Sequence, residues 1–457
     1  MKFTYFIFYL ILIHSCNSQN SLEMRAIGIG SGDGSAIAPV ITSISPTTYG
    51  VKGGTTLTIT GDNFETGATV SVGGTACANP VVVSSTQITC TLAYHFASVV
   101  DVVVLNFSGI SGTLFSGFSY NSYLYAANQS GGSALARLRI DSLTGNITQL
   151  GTTAAPNGAY GVEVDSTNTW VYTAGVSANQ IAGFTIDHAT GNLTAVPGSP
   201  FAAGAGANGL AISKDSKCLI ASNWTGGAGA KVTSFSINQT TGALTKIADY
   251  TGGTNPSGVS IDPLNRFVYV ANYGSNSISA YTLSTATCAL VFISNVASGS
   301  SPDAISVHPN GKFVYTGNAS VAGGITGLSI DQSTGALTLI ASYVTSNATN
   351  GAGVELDKTG SQLYVTARGG GGAGLGKLWG FNVNSTSGVL TPTSSWATNN
   401  GPNDVRILGD GKFVFTANTE SNTITVFSRD LSTGDLTPAV PSFYTIGNSP
   451  GIIGITF

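Results

Sequence analysis

The chain repeats itself, and the repeat limits the folds open to it. Seven short runs of β-branched and aromatic residues share one pattern: YLYAAN ending at Asn128, WVYTAG at Gly175, LIASN at Asn223, FVYVAN at Asn272, FVYTGN at Asn318, LYVTAR at Arg368 and FVFTAN at Asn418. A second signature follows each: LTGNI, ATGNL, TTGAL, TATCAL, STGAL, TSGVL and STGDL. The fourth carries Cys288 where the others have Gly. The spacing is 46 to 53 residues. A unit of this size cannot bury its own apolar face, whereas neighbouring copies can bury it together.

Four short strands per unit at this period predict a β-propeller. An inner strand such as GVSI leads through a turn (DPLNR, HPNGK) to the strand FVYVA. A polar loop, a third strand (SISAYTL), a Thr-Gly hairpin and a short outer strand (LTLIAS) complete the unit. The first unit lacks its inner strand, and PGIIGITF, Pro450 to Phe457, supplies it. One blade is then built from both ends of the chain, which leaves no open sheet edge at the seam. Charged residues are only 8% of the chain and Gly numbers 60, so long helices are not expected. The net charge is −4 without a basic cluster, which argues against nucleic acid as a partner.

The N-terminus, MKFTYFIFYLILIHSCNSQN, has one early cation and an apolar stretch from Phe3 to Ile13. That stretch is too short for a spanning helix and reads as a secretory signal over residues 1–15. Ile13-His14-Ser15-Cys16 resembles a bacterial lipobox of the relaxed, spirochaete kind, with His14 atypical. The resemblance implies lipidation at Cys16 and a membrane-anchored, exported protein, with the cell surface as one destination. An ordinary signal peptide cut nearby is the alternative. Residues 16–38 are rich in Gly and Ser and read as a flexible tether.

Residues 39–120 form a separate strand-and-turn segment. ITSISPTTYGVKGGTTLTITGDNF, VSVGGTAC and VDVVVLNFSGISGTLFSGFSY resemble the IPT/TIG family of immunoglobulin-like domains. This implies a small β-sandwich acting as a spacer or binding module. Cys77 and Cys90 are expected to form a disulfide in an exported chain, two buried thiols being the alternative. His95 stands alone there and reads as structural. The predicted fold class is therefore all-β: an immunoglobulin-like sandwich, then a seven-bladed β-propeller over residues 121–457, closed by the C-terminal strand.

SIDPLNRFVYVANYGSNSISAYTL and SVHPNGKFVYTGN resemble the seven-bladed lactonase family, which includes 6-phosphogluconolactonase-like and muconate-cyclising enzymes. The resemblance implies His and Arg near the inner-strand starts and a Glu after the YVAN-type motif. This chain departs from that. Its inner strands start Tyr160-Gly161, Asn208-Gly209, Ser257-Gly258, Asp303-Ala304, Ala352-Gly353, Asn403-Asp404 and Gly451-Ile452, and Tyr273 follows YVAN. His188 and His308 precede turns on the opposite face. The middle positions of the inner strands read Glu163, Ala211, Ser260, Ser306, Glu355, Arg406 and Gly454. Glu163, Glu355 and Arg406 are the catalytic candidates, as an acid/base pair with an anion-binding guanidinium. The competing account is a structural Glu355–Arg406 pair between adjacent blades, with Glu163 solvated in the channel.

Binding candidates are Asp303 and Asp404 at the rim, and Trp224, Tyr273 and Arg368 on the loop face. Arg368 and the Asn residues ending the second strands also suit capping of the strand-loop corner. The loops NWTGGAGAK and RGGGGAGLGK lead into strands, which disfavours phosphate cradling. Trp379 suits packing between blades. Cys218 and Cys288 face the same side, either bonded or free. No cofactor or metal is called for. The sequence favours an exported, lipid-anchored propeller that binds a protein or carbohydrate ligand without chemistry. The alternative is a lactonase-like hydrolase acting on a sugar lactone.

Overall fold

The computed structural model describes residues 37–129, 133–225, 231–320, 324–344, 351–369, 376–447 and 449–456. The signal, Cys16, the tether to residue 36 and the centres of both Gly-rich loops lie outside the described residues. The described residues form strands and turns, with no helix among them. Residues Ala38–Phe457 make one compact unit.

The N-terminal part is a sandwich. One sheet runs Val40–Ser45, Thr56–Asp62, Gln87–Thr91, Ala78–Ser84. Thr69–Val72, Ser98–Leu105 and Ser111–Asn128 build the other. Alternation along Thr56–Asp62 sends Leu57 and Ile59 inward against Ile88, Val70, Val102, Val104 and Phe118. Cys77 and Cys90 sit in this core as a disulfide. His95 stacks on Tyr120 with ring centroids 4.9 Å apart.

No linker separates sandwich from propeller. Ser111–Asn128 is one 18-residue strand that pairs with Ser98–Leu105 in its first part and with Ala134–Ile140 in its second. A division at residue 120 or 121 falls inside it. The two parts also touch through turns. Lys52 Nζ donates to Thr169 Oγ1 at 2.6 Å, and Lys358 Nζ lies 4.4 Å from the Phe96 ring centroid.

Seven blades follow, each of four strands except blade 2, which has a fifth, Phe201–Ala202; the C-terminal strand Pro450–Ile455 pairs antiparallel with Ser111–Asn128 to complete blade 1. Blades 2 to 7 begin with the inner strands Ala159–Val164, Ala207–Ile212, Pro256–Ile261, Pro302–Val307, Gly351–Leu356 and Pro402–Ile407. One contact recurs around the ring. In six of the seven blades the residue that opens the FVYVAN-type run packs on the hairpin glycine of the next blade: Tyr123 on Gly191, Trp170 on Gly242, Phe267 on Gly335, Phe313 on Gly388, Gln362 on Gly434, and Phe413 on Gly145 across the closure. Two residues on, in five of these seams, a tyrosine hydroxyl donates to the same glycine's carbonyl, as Tyr172 to Gly242 at 2.7 Å and Tyr269 to Gly335 at 3.0 Å, while blade 7 has Phe415 there.

Blade 3 has Cys218 and Ile220 at these positions, and blade 4 has Cys288 in its hairpin. There a Cys218–Cys288 disulfide takes the place of both the ring–glycine contact and the hydroxyl bond. The hairpin glycines are required sterically as well. Gly335 has φ of 76°, and a Cβ there would overlap the Phe267 ring. Gly335→Ala is expected to destabilise the protein by about 2–3 kcal/mol in urea unfolding. Gly54→Ala, at φ of 88° with open space around it, is expected to cost about 1 kcal/mol. Equal losses would show that the blade seam contributes nothing beyond backbone strain.

The asparagines ending the second strands are buried and tie strands together. Asn272 Nδ2 donates to Ser279 Oγ at 2.9 Å, which donates to Asn295 Oδ1 at 2.7 Å. Asn418 Nδ2 reaches Thr425 Oγ1 at 2.8 Å. They serve the corner rather than a ligand.

Candidate active site

The inner strands surround a cavity of about 550 Å³. Tyr160, Asn208, Ser257, Asp303 and Asn403 line one end, at the strand starts, and Ser166 and Lys214 the other. Glu163, Ser260, Ser306, Glu355 and Arg406 lie between.

A local irregularity makes this lining possible. Strict alternation places residues three apart on opposite faces. Each of these inner strands carries a register shift near its start, between Ala159 and Val162, Pro302 and Ala304, and Pro402 and Asp404 among others. Such bulges re-aim side chains. They allow Tyr160 and Glu163, Asp303 and Ser306, and Asn403 and Arg406 all to line the same cavity.

The charged residues gather on one wall. Arg406 Nη1 donates to Glu355 Oε2 at 3.3 Å, and its Nη2 lies 3.9 Å from Glu163 Oε2. Its Nε donates to the Ile453 carbonyl at 2.9 Å and lies 3.6 Å from Asp404 Oδ2. Glu163 is in blade 2 and Arg406 in blade 7, with blade 1 between them. The matching position of blade 1 is Gly454, where a Cβ would press on the Val162 and Val164 side chains, so the glycine lets the blade 2 inner strand approach closely. Arg406 is therefore not paired with Glu355 alone, and Glu163 does not stand isolated in the channel. The opposite wall, Ala211, Ser260 and Ser306, has only small side chains, which leaves the cavity's free volume facing the charges.

Enclosure sets the electrostatics. The Glu163 and Glu355 side chains line the cavity and keep 32% and 27% of their surface exposed. Burial penalises their charge, Arg406 offsets this in part, and neighbouring carboxyls add to it. Both are pushed up to about 7. Burial also raises Asp404 and Asp303 above the usual carboxylate range. Burial lowers Arg406, but the three carboxyls outweigh it and hold the guanidinium above its ordinary value.

The other candidates separate by role. Asp404 is buried and accepts from the Ile453 amide at 3.0 Å, which ties blade 7 to the closing strand. Asp303 accepts from Ser257 Oγ at 2.5 Å. Arg368 lies within electrostatic reach of Asp303 and Tyr160 at the mouth. Trp224 and Tyr273, in adjacent blades, sit against each other with centroids 5.0 Å apart, outside the cavity lining. Trp379 packs on the Val354–Leu356 cluster. His188 and His308 are buried on the opposite face, bonded to the Asn168 and Gly360 carbonyls. Among the described residues, no cluster of His, Cys, Asp and Glu is arranged to hold a metal ion.

Tyr160 and Asn403 were visible in the sequence only as strand starts lacking His or Arg. The structure brings them together across blade 1, Asn403 Nδ2 donating to the Tyr160 hydroxyl at 3.2 Å. Their position three residues before an acidic or basic middle residue was the available signal.

Fold and site together define a closed propeller with an acidic axial cavity. Comparison with known families places it further. Residues 39–125 match the IPT/TIG domain, and residues 177–290, 275–350 and 344–449 match the family described as lactonase, 7-bladed beta-propeller. The second match spans more than half of the chain, and the chain belongs to that family.

Similar solved structures include a protein of Bacteroides fragilis proposed to be a 6-phosphogluconolactonase (21% identity, TM-score 0.64, 74% of this chain and 98% of that one). One of Bacteroides uniformis with the same proposed activity has 20% identity and a TM-score of 0.65, covering 74% of this chain and 99% of that one. The periplasmic gluconolactonase of Pseudomonas aeruginosa has 16% identity and a TM-score of 0.64, covering 74% and 99%. At these identities the likeness is one of fold. No protein with a curated description matches the chain.

Proposed function

We propose that the axial cavity opens the ring of a small lactone. The observation that carries this reading is the convergence of Glu163, Glu355 and Arg406, from three blades, on one wall of a cavity whose other wall is empty of bulk. With both carboxyls near 7, the pair shares a proton around neutral pH. The ionised member takes a proton from water as the water oxygen attacks the lactone carbonyl. The protonated member gives its proton to the ring oxygen as the C–O bond breaks. Arg406 holds both carboxyls in position. The product is a hydroxy acid, and its carboxylate faces a wall of three carboxyl groups, which favours release. The gluconolactonase name carried by one fold neighbour is consistent with this substrate class.

We propose further that the protein is exported and anchored through Cys16. Two disulfides in the folded part support an oxidising compartment.

Binding without chemistry is the second reading. It is favoured by the bonds of Arg406 to the Ile453 carbonyl and Glu355, which suit a structural tie. The deciding experiment is hydrolysis of a panel of sugar lactones, phosphorylated and not, by the full chain in detergent. A version cut at residue 121 would sever the shared strand and is unsuitable. Turnover above the spontaneous rate is the expected result. None from a cooperatively melting sample would leave only the binding reading.

A further inference from the structure

Lactone hydrolysis places negative charge on the carbonyl oxygen, and that charge needs a hydrogen-bond donor already in place. Arg406 directs three of its five N–H groups at other parts of the protein. Its Nε is given to Ile453, its Nη1 to Glu355, and its Nη2 faces Glu163. The small wall offers the aliphatic hydroxyls of Ser260 and Ser306, which are weaker hydrogen-bond donors than a phenol. Tyr160 differs. It lines the cavity, and its hydroxyl accepts a bond from Asn403 Nδ2, a residue of blade 7 reaching past blade 1. An accepted bond polarises the phenol and leaves its own O–H to donate, and among the described residues it has no protein acceptor. The bulge between Ala159 and Val162 turns Tyr160 and Glu163 of one strand into the same space.

We propose that Tyr160, polarised by Asn403, is the donor that stabilises the oxyanion during lactone opening; this rests on the hydrolytic reading above. Asn403 is a positioning residue, acting through the phenol. Burial, with Asp303 and Asp404 nearby, pushes the Tyr160 hydroxyl up to about 12, so it stays protonated wherever the carboxyl pair works.

The test is steady-state hydrolysis of glucono-δ-lactone by the full chain in detergent, with Tyr160→Phe, Asn403→Ala and Glu355→Gln alongside. Tyr160→Phe is expected to lower kcat about 100-fold with KM changed less than about threefold, because the donor acts on the transition state. The acid limb of its pH profile is expected to stay in place, since that limb belongs to the carboxyl pair. Asn403→Ala is expected to lose about tenfold in kcat. An unchanged kcat in Tyr160→Phe, with Glu355→Gln inactive, would overturn the role of Tyr160 and leave the hydrolase standing. A rise in KM alone would also overturn it, by making Tyr160 a contact equal in ground and transition states. No turnover by the wild-type chain would overturn both.

Discussion

Glu355→Gln is expected to lower lactone hydrolysis by about 10²- to 10⁴-fold while leaving the melting temperature at pH 7.5 unchanged or raised. The two effects have one cause. Enclosure, with Asp404 adding to it and Arg406 offsetting it in part, makes the charged form of Glu355 costly, which is why it is held at about 7. The amide fills the same space without that cost and cannot move a proton. A purely structural ion pair predicts the reverse: activity, if any, is indifferent, and stability falls by about 3–5 kcal/mol on removing one partner. Calorimetric melting and initial rates on the same sample separate the two.

The pH dependence follows from the same shifts. The folded-state values of Glu163 and Glu355 are raised above their ordinary 4.5 to about 7. Their contribution to stability is therefore fully present below about 4.5 and is lost as pH rises through about 7. Each carries roughly 1–2 kcal/mol of this dependence once residual solvent contact is discounted. His188 and His308, lowered from 6.5 by burial, act in the opposite sense below that value. The informative quantity is thus the difference between wild type and a Glu163→Gln, Glu355→Gln double variant. The variant is expected to be the more stable at pH 8 and to lose that advantage at pH 4.5. Parallel stability curves would mean that the carboxyls titrate normally.

Removing the Cys218–Cys288 disulfide is expected to cost about 2–4 kcal/mol. The bond closes a sequence separation of 70, so most of its effect comes from restricting the unfolded chain. It also stands where the other seams have a side chain packed on a hairpin glycine. A Cys218→Ser, Cys288→Ser variant loses the bond and gains no such contact. Cys218→Phe with Cys288→Gly copies the Phe267–Gly335 seam and is expected to recover about 1–2 kcal/mol of the loss. Urea unfolding under oxidising conditions measures all three proteins. If the Phe/Gly variant is no more stable than the Ser/Ser variant, the disulfide is not standing in for that contact.

What could be read beforehand was whatever is local in the chain. Strand positions follow from β-branched runs between Gly, Asn and Pro, and seven copies of FVYVAN-type and Thr-Gly signatures count the blades. The orphaned PGIIGITF announces the closure with Ser111–Asn128. Glu163, Glu355 and Arg406 were picked out by aligning equivalent positions of inner strands, which works because equivalent positions in a ring all face its axis.

The tertiary structure decided which of these residues meet. Glu163 reaches Arg406 only because the ring closes through blade 1, a neighbour relation joining residues 243 positions apart, as the Tyr160–Asn403 bond does. A period-two reading puts Tyr160 and Glu163 on opposite faces, and only the bulge at Ala159–Val162 reunites them. The joint between sandwich and propeller was likewise hidden, since a continuous strand carries no composition change at residue 120. Local pattern sets strands and register because those depend on residues one or two apart. Ring closure and bulges set the cavity because they depend on packing among all seven blades.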